Sequence, residues 1–288
     1  MTVRYALGCD LSYEVANETV FIFNLEVARL GRHRDLRETL RLDPTLPLES
    51  YEAPDIRNRY LKVIVPPGPF ELSYRAEVGL HVHREDPARV GEVPVASLPL
   101  DILPFILPSR YVSSDRLAAF AEREFGRLPK GHGRVTAICN WLYDNLDYER
   151  GSTDETTTAD EVLLQRAGVC RDFAHLGIAF CRALSIPARF VSCYAYGLEP
   201  SDFHAVFEAY LDGRWWLFDG TRQANLDGLV RIGVGRDAAE IAFATPFGEI
   251  EAAPPKITIE HADGSPEAPG RTTDAIATED PAPHAGAR

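Results

Sequence analysis

Cysteine is scarce in this chain, and its few cysteines follow no ligand or disulfide pattern. The five cysteines among 288 residues form no C-x-x-C pair and no zinc-finger spacing. For a chain of this size that we expect to be non-secreted, free thiols in a reducing cytoplasm are favoured over a disulfide framework. The cysteine pattern therefore predicts a cytoplasmic protein with packed or reactive thiols, and it points to no metal or other cofactor.

Long apolar runs and an excess of positive charge are also missing. No stretch approaches the roughly 18–20 apolar residues that span a bilayer, and the N-terminus lacks a basic segment followed by an apolar one. The formal net charge is −13 at pH 7, whereas nucleic-acid and anionic-membrane surfaces need clustered Lys and Arg. We therefore expect no membrane segment, no signal peptide and no nucleic-acid partner.

Composition divides the chain into four parts and predicts an α+β fold. Residues 1–90 hold short runs rich in β-branched and aromatic residues, typical of an antiparallel β-sandwich-like domain. Residues 91–112 are proline-rich and apolar, which indicates an ordered, extended connector on the protein surface. Residues 113–250 predict a core of helices packed on an antiparallel sheet, with a loop and a short helix near its end. Residues 251–288, rich in Pro, Ala, Gly and acids, predict a mostly disordered tail.

One cysteine of the core stands where a helix is predicted to begin. The stretch AGVCRDF at 167–173 opens a run with helical periodicity that places Phe173, Leu176 and Phe180 on one side. A thiol in the first turn lies among unpaired N–H groups at the positive end of the helix dipole, which favours the thiolate. Cys170 is therefore a candidate nucleophile whose own N–H could stabilise an oxyanion. A packing role is the alternative, so a base and an acid are needed as well.

The segment HAVFEAYLDGRWWLFD predicts a hairpin that supplies both groups. Asp212-Gly213 is typical of a two-residue type I′ turn. With this loop, the pairing places His204 and Asp219 on one face as diagonal neighbours, with β-carbons roughly 7 Å apart. An imidazole can activate a thiol, and a carboxylate on its other nitrogen fixes the tautomer.

Two other acids could orient the histidine. Asp202 shares the face of His204 but precedes the hairpin, so the turn does not fix its position. Glu208 faces the same side but lies one residue pair further from His204 than Asp219 does. We therefore predict the trio Cys170, His204 and Asp219.

Two ordered stretches resemble a known family. The stretches AGVCRDFAHLGIAFCRALSIPARFVSCY and FHAVFEAYLDGRWWLFDGT resemble the transglutaminase-like superfamily of papain-like Cys-His-Asp proteins, in particular its bacterial cysteine-protease branch. GVCRDF, IPAR, H-A and W-x-x-F-D carry the resemblance within about residues 113–225. It implies a papain-like core with Cys170 as nucleophile, His204 as general base and acid, and Asp219 as orienter. Residues 1–90 are similar to the N-terminal domain often found beside this core.

The resemblance also implies an activity and a further site residue. Members commonly use an aromatic residue upstream of the nucleophile as a second oxyanion donor, and Tyr148 fits by position, with Trp141 as the other candidate. The implied activity is thiol-dependent hydrolysis of an amide bond in a peptide or protein. Acyl transfer to an amine and a non-catalytic peptide-binding role are the alternatives. Val206 and Gly220 stand where members often carry Trp and Pro, a departure that affects the wall of the substrate site.

Three further histidines invite a functional interpretation. His81 and His83 would share one face of a strand, a possible pair of metal ligands, with Glu85 beside them if the strand continued. Solvated strand histidines are the simpler interpretation, because no third ligand is located. His175, on the helix that starts at Cys170, is predicted to be structural.

Overall fold

The N-terminal part of the chain folds into strands, as the alternating pattern predicts. The computed structural model describes residues 2–262 and 272–281. The strands of this part are β1 (Val3–Val15), β2 (Thr19–Phe23), β3 (His33–Asp43), β4 (Leu48–Glu52), β5 (Arg59–Val65), β6 (Gly68–Leu80) and β7 (His83–Glu85). In β5, buried residues alternate with exposed or half-buried ones over the whole strand. This two-residue period places one face of each strand against a core.

Helices and a second set of strands follow in the C-terminal part. In chain order they are α1 (Ala118–Phe125), α2 (His132–Asn145), β8 (Asp147–Tyr148), α3 (Ala159–Gln165), β9 (Ala167–Gly168), α4 (Cys170–Ala183), β10 (Ala188–Ala195), β11 (Phe203–Leu211), β12 (Arg214–Phe218), β13 (Leu229–Gly235), β14 (Ala244–Phe247), β15 (Ile250–Ala252), β16 (Lys256–His261) and β17 (Ala275–Ala277). None of the helices in residues 2–262 and 272–281 is long and apolar enough to cross a bilayer. A cytoplasmic location stays a prediction.

Two antiparallel sheets form the N-terminal sandwich. One has the order β15-β1-β6-β3, with β16 also paired to β1, and the other has the order β14-β2-β5-β4. Their facing side chains form one apolar cluster that includes Phe21, Phe23, Phe70 and Tyr74. The predicted antiparallel sandwich is confirmed, but its strands β14, β15 and β16 come from the C-terminal end of the chain.

A third sheet, in the order β12-β11-β10-β13, carries the helices. Helix α4 packs on β10 and β11, and almost every residue of these two strands is buried. Gly177 lets α4 approach closely, because a β-carbon there would lie 2.6 Å from the ring of Phe207 in β11. The predicted core of helices on an antiparallel sheet is confirmed, and α4 is its central helix.

Two stretches differ from their predicted conformation. The connector is not extended throughout but forms 3-10 turns, the longest over Leu100–Ile106, and Ile102 packs on Tyr210 and Trp215 of the β11–β12 hairpin. The stretch from 231, predicted as loop and short helix, begins with the buried strand β13, followed by a single 3-10 turn over Ala238–Glu240.

The prediction of disorder after residue 250 is wrong for the described part of that segment. Strands β15 and β16 add to β1, and β17 pairs with β7. The side chains of Ala275, Ile276 and Ala277 are fully buried, and Glu279 binds Arg189 and Arg231 at 2.5 and 3.0 Å. Composition alone did not reveal these partners, because all of them are distant in sequence. Residues 263–271 and 282–288 lie outside the described part, and the domain limits remain predictions.

Candidate active site

Helix α4 begins at Cys170, as the sequence predicts. Val169 precedes the helix in an extended conformation, with φ −113° and ψ −178°. Cys170 is partly buried, whereas the four other cysteines, Cys9, Cys139, Cys181 and Cys193, are buried. The one cysteine that is not buried therefore lies where the backbone N–H groups of a first helical turn are unpaired.

The β11–β12 hairpin has the predicted turn and register. Asp212 and Gly213 both have positive φ, 49° and 74°, as a type I′ turn requires. The ladder runs from the Leu211–Arg214 pair to the Phe207–Phe218 pair. Because β12 ends at Phe218, Asp219 lies just beyond the paired strand, on the side towards β11 and His204.

The structure brings His204 and Asp219 together. The Nε2 atom of His204 lies 3.0 Å from Oδ2 of Asp219, and the two residues are only 2% and 9% exposed. The other carboxylate oxygen of Asp219 accepts hydrogen bonds from the N–H and the hydroxyl of Thr221, at 2.8 and 2.7 Å. The carboxylate is thus fixed on one side by Thr221 and orients the imidazole on the other.

The surroundings of His204 favour a charged ring. Burial alone would lower its pKa, but the Asp219 carboxylate and the Cys170 side chain on the same ring raise it to about 10. The pKa of Asp219 lies below its ordinary value although burial opposes this, because His204 and Thr221 stabilise the carboxylate. Nδ1 of His204 is buried and has no hydrogen-bond partner within the described ranges. This arrangement suits an imidazolium beside a thiolate.

Tyr148 lies next to Cys170. Strands β8 and β9 pair in parallel, with Tyr148 opposite Gly168, two residues before Cys170. Burial and the Cys170 side chain raise the pKa of Tyr148 to about 12, while a hydrogen bond with the Cys170 N–H opposes this shift. The Tyr148 side chain therefore lies beside Cys170, where an oxyanion donor is required.

Trp141, the other candidate donor, lies elsewhere. Its ring packs edge-on against Phe120 and Phe180 at 5.3 and 5.4 Å, and Arg166 lies 4.9 Å from its centroid. These contacts belong to the core between the helices. Trp141 is therefore a packing residue.

The two alternative acids do not orient His204. Asp202 forms a 3.4 Å ion pair with Arg150 at the surface. Glu208 is fully buried between two arginines, 2.7 Å from Arg189 and in contact with Arg231. Both carboxylates are thus engaged by arginines, which leaves Asp219 as the partner of the histidine.

The other histidines have separate surroundings. Strand β6 ends at Leu80 and β7 begins at His83, so His81 and His83 do not share a regular strand. His83 packs on Trp216 at 5.6 Å. No group of three or more His, Cys, Asp or Glu side chains suited to a metal occurs in the part of the chain that the structure describes. His175 is buried and accepts a hydrogen bond from the Ala238 N–H at 3.1 Å, a contact consistent with a structural role.

Sequence reasoning missed one buried acid of this region. Asp172, in the first turn of α4, is fully buried and accepts a hydrogen bond from the Val169 N–H at 2.9 Å. Its position three residues after the capping residue is a known signal for such a contact. The usual Ser or Thr partner is absent from the motif, because Val169 has no side-chain acceptor.

Known protein families and a solved structure match this chain over most of its length. Residues 119–220 match the family model of the transglutaminase-like superfamily, and residues 3–101 match that of the bacterial transglutaminase N-terminal domain. The crystal structure of a "putative cysteine protease" from Cytophaga hutchinsonii is 38% identical, with a TM-score of 0.92 over 97% of this chain and 98% of that one. The chain belongs to the transglutaminase-like superfamily. The predicted family and fold are therefore confirmed.

Relatives are also found among mycobacterial proteins. An uncharacterised protein of Mycobacterium leprae is 29% identical over 144 residues, which are 47% of this chain and 51% of the relative. One of Mycobacterium tuberculosis strain H37Rv is 34% identical over 119 residues, 36% of this chain and 38% of the relative. The chain thus spans about half, or less, of the length of these relatives.

Proposed function

We propose that this transglutaminase-like protein is a thiol-dependent amide hydrolase that acts through Cys170, His204 and Asp219. The observation that carries the proposal is the buried 3.0 Å contact between His204 Nε2 and Asp219 Oδ2. The nearby Cys170 side chain adds to it by raising the pKa of the same imidazole. A carboxylate-held imidazole beside a thiol is the arrangement that activates a nucleophile. The similar Cytophaga hutchinsonii protein is described as a "putative cysteine protease", which supports the same chemistry.

The proposed first half-reaction forms a thioester. The Cys170 thiolate attacks the amide carbonyl carbon, and the π electrons of the C=O bond move to oxygen. The Cys170 N–H and the Tyr148 hydroxyl donate hydrogen bonds to this oxyanion. When the C–N bond breaks, the His204 imidazolium gives its proton to the leaving nitrogen. An acyl group remains on the sulfur, and a free amine departs.

The proposed second half-reaction releases the acyl group. Neutral His204 takes a proton from a water molecule as that water attacks the thioester. The carbon–sulfur bond breaks, a carboxylic acid departs, and the thiolate–imidazolium pair is restored. An amine could take the place of water, in which case the product is a new amide. We propose water as the acceptor and a peptide or protein as the substrate.

Selective alkylation tests the nucleophile. Iodoacetamide at pH 6 should label the folded protein at one residue, and Cys170→Ala should abolish both this labelling and turnover of peptide substrates. Cys9→Ala is the matched control, because Cys9 is a buried cysteine of the N-terminal sandwich. Unchanged labelling of the Cys170→Ala protein at pH 6 would refute the assignment.

Product analysis tests the acceptor. With a peptide substrate and excess methylamine, hydrolysis predicts the free acid as the main product in mass spectrometry. A predominant methylamide would instead identify an acyl transferase. A labelled protein that binds peptides without converting them would support the binding-module alternative.

A further inference from the structure

A carboxylate that the proposed chemistry does not use is buried at the start of α4. Asp172 has no exposed surface. Its Oδ2 accepts hydrogen bonds from the Val169 N–H at 2.9 Å and the Thr153 hydroxyl at 2.5 Å. Its Oδ1 accepts two from Arg171, at 3.1 and 3.0 Å. Four donor groups therefore converge on a single side chain that can only accept.

These contacts fix the backbone immediately before the nucleophile. The carboxylate of Asp172 makes the reciprocal contact of a capping box by accepting from the N–H of the capping residue Val169, which has no side-chain acceptor for the other contact. The Asp172 N–H in turn donates to the Val169 carbonyl at 2.8 Å. The N–H and the carbonyl of Val169 are thus both hydrogen-bonded to Asp172. These bonds fix the peptide group between Val169 and Cys170, which carries the Cys170 N–H.

The same carboxylate is linked to the segment that carries Tyr148. A β-carbon on Gly168 would lie 2.7 Å from the β-carbon of Asp172, so the backbone of β9 packs directly on this side chain. Gly168 is the partner of Tyr148 in the β8–β9 pair and accepts a hydrogen bond from the Glu149 N–H at 3.0 Å. Thr153 lies in the loop that follows β8, so Asp172 contacts both this loop and β9.

We propose that Asp172 is a positioning residue that aligns the two oxyanion donors, the Cys170 N–H and the Tyr148 hydroxyl. The inference rests on the proposed function, because it concerns acyl transfer through a tetrahedral oxyanion. Asparagine has nearly the same shape, but its NH2 group would face one of the donors that now meet an oxygen. With the amide oxygen towards Val169 and Thr153, the NH2 group opposes Arg171 and an uncharged acceptor replaces the carboxylate. Turned the other way, the NH2 group opposes the Val169 N–H. Either arrangement weakens the hold on Val169 and with it the alignment of the two donors.

The test compares two reactions of the same sulfur. Acylation of Cys170 by 4-nitrophenyl acetate passes through an oxyanion, whereas alkylation by iodoacetamide is a displacement that forms none. In Asp172→Asn, we expect acylation to slow about 10- to 100-fold, while alkylation stays within about twofold of the unmodified protein. The ratio of the two rates therefore separates donor alignment from a general loss of structure, which would change both.

Asp160→Asn is the matched control. Asp160 is a buried acid in the first turn of α3, where it accepts hydrogen bonds from the hydroxyls of Ser113 and Thr158 at 2.5 and 2.8 Å. The same substitution there should leave the ratio of acylation to alkylation unchanged, even if it lowers stability.

Three outcomes would decide against the proposal. A folded Asp172→Asn protein with an unchanged ratio overturns it. Should that variant not fold, Thr153→Val removes one donor from the cluster and should lower the ratio about threefold; an unchanged ratio there overturns it as well. If the unmodified protein is alkylated but never acylated, the proposed function itself fails, and the positioning role fails with it.

Discussion

At the residue scale, the chemistry of the site depends on how His204 is held. The ring is almost completely buried, and burial by itself disfavours the imidazolium. The Asp219 carboxylate and the Cys170 side chain outweigh this penalty and raise the pKa to about 10. The ring therefore stays protonated at neutral pH for as long as both partners are present.

Substituting Asp219 by Asn should remove the larger of these two stabilising contacts. We expect the pKa of His204 to fall, because burial then acts against a charged ring that has lost its carboxylate. The His204 ring then loses its proton at a lower pH, so the Cys170 thiolate loses its positively charged partner. Alkylation of Cys170 at pH 6 should therefore slow about tenfold or more. The pH dependence of the iodoacetamide rate between pH 5 and 9 measures this change.

Asp202→Asn serves as the control for that measurement. Its carboxylate pairs with Arg150 rather than with His204, so its pH profile should match that of the unmodified protein. Identical profiles for Asp219→Asn and Asp202→Asn would show that Asp219 does not hold the imidazole.

The residues of the site differ in how far the sequence could predict them. The turn dipeptide Asp212-Gly213 fixes the hairpin register locally, and that register is enough to pair His204 with Asp219. The family resemblance suggested Tyr148, whereas periodicity said nothing of it. Asp172 was not found, because its partner Thr153 lies 19 residues away in a loop whose path no local pattern gives.

At the scale of elements, a glycine in this chain occurs either in a turn or at a point where two segments pack closely. In β13, Gly233 and Gly235 gave the segment the composition of a loop. A β-carbon at Gly233 would lie 2.7 Å from the side-chain oxygen of Asn24 and 3.0 Å from that of Asn58, both in the N-terminal part. The glycine therefore permits a close approach between two parts of the molecule rather than a turn, and one sequence cannot distinguish these cases.

Gly177 makes a comparable approach possible between α4 and β11. In Gly177→Ala the new β-carbon would overlap the ring of Phe207, with ring atoms at 2.6, 3.0 and 3.1 Å. The helix or the ring must move, and overpacking of this kind costs about 1–3 kcal/mol of the free energy of unfolding. Urea-induced unfolding should show this loss, together with slower alkylation of Cys170, because the moved helix is the one that carries the nucleophile.

Gly133→Ala makes the same change in a different helix. Apart from its chain neighbours and the backbone of its own helix, no atom of the described residues lies within 4 Å of a β-carbon built at Gly133 in α2. Alanine is also the better helix former by up to about 1 kcal/mol. This variant should be as stable as the unmodified protein or more so. Equal destabilisation by the two substitutions would mean that the α4–β11 contact is not as close as described.

At the scale of the whole molecule, the two halves are interlocked. The hydroxyl of Tyr194 in β10 donates a 2.8 Å hydrogen bond to the Leu25 carbonyl, and Val230 and Ile232 of β13 join the apolar cluster of the sandwich. Strands β14, β15 and β16 return to the N-terminal sheets. Composition cannot reveal such pairings, since each one joins segments that are far apart in sequence.

Three buried histidines make the fold sensitive to acid. Burial lowers the pKa of His33 and His132 to about 4 and that of His175 to about 3. Between those values and about 6.5, the unfolded chain binds more protons than the folded one, so stability falls as the pH falls. Each histidine contributes up to about 1.4 kcal/mol for every pH unit in this window.

Urea unfolding at pH 6.5, 6.0 and 5.5 should therefore give a decreasing free energy of unfolding, because below pH 6.5 the three neutral histidines outweigh His204, whose raised pKa acts in the opposite direction at higher pH. His33→Gln should flatten this dependence between pH 6.5 and 5.5, because one proton fewer is taken up on unfolding. His81→Gln, at a half-buried position, is the control and should leave the slope as it is. A slope in His33→Gln equal to that of the unmodified protein would argue against a neutral, buried His33.

The last segment of the described chain completes a buried ion cluster. Glu279 accepts hydrogen bonds from Arg189 and Arg231. These two arginines are 4% and 1% exposed, and both also bind the buried Glu208. Two positive and two negative groups thus balance between β10, β11, β13 and the segment that follows β17. Without the carboxylate of Glu279, one buried guanidinium would lack its counter-charge.

Glu279→Gln should therefore cost about 2–4 kcal/mol of the free energy of unfolding, because breaking a buried ion pair leaves an uncompensated charge. The neighbouring Asp280→Asn removes a 2.6 Å ion pair with Arg32 whose carboxylate is 57% exposed, and such surface pairs contribute no more than about 1 kcal/mol. Urea unfolding of the two variants compares a buried and an exposed contact one residue apart. Equal, small losses would mean that residues 275–281 do not anchor the fold, and the prediction of a disordered tail would then hold for them after all.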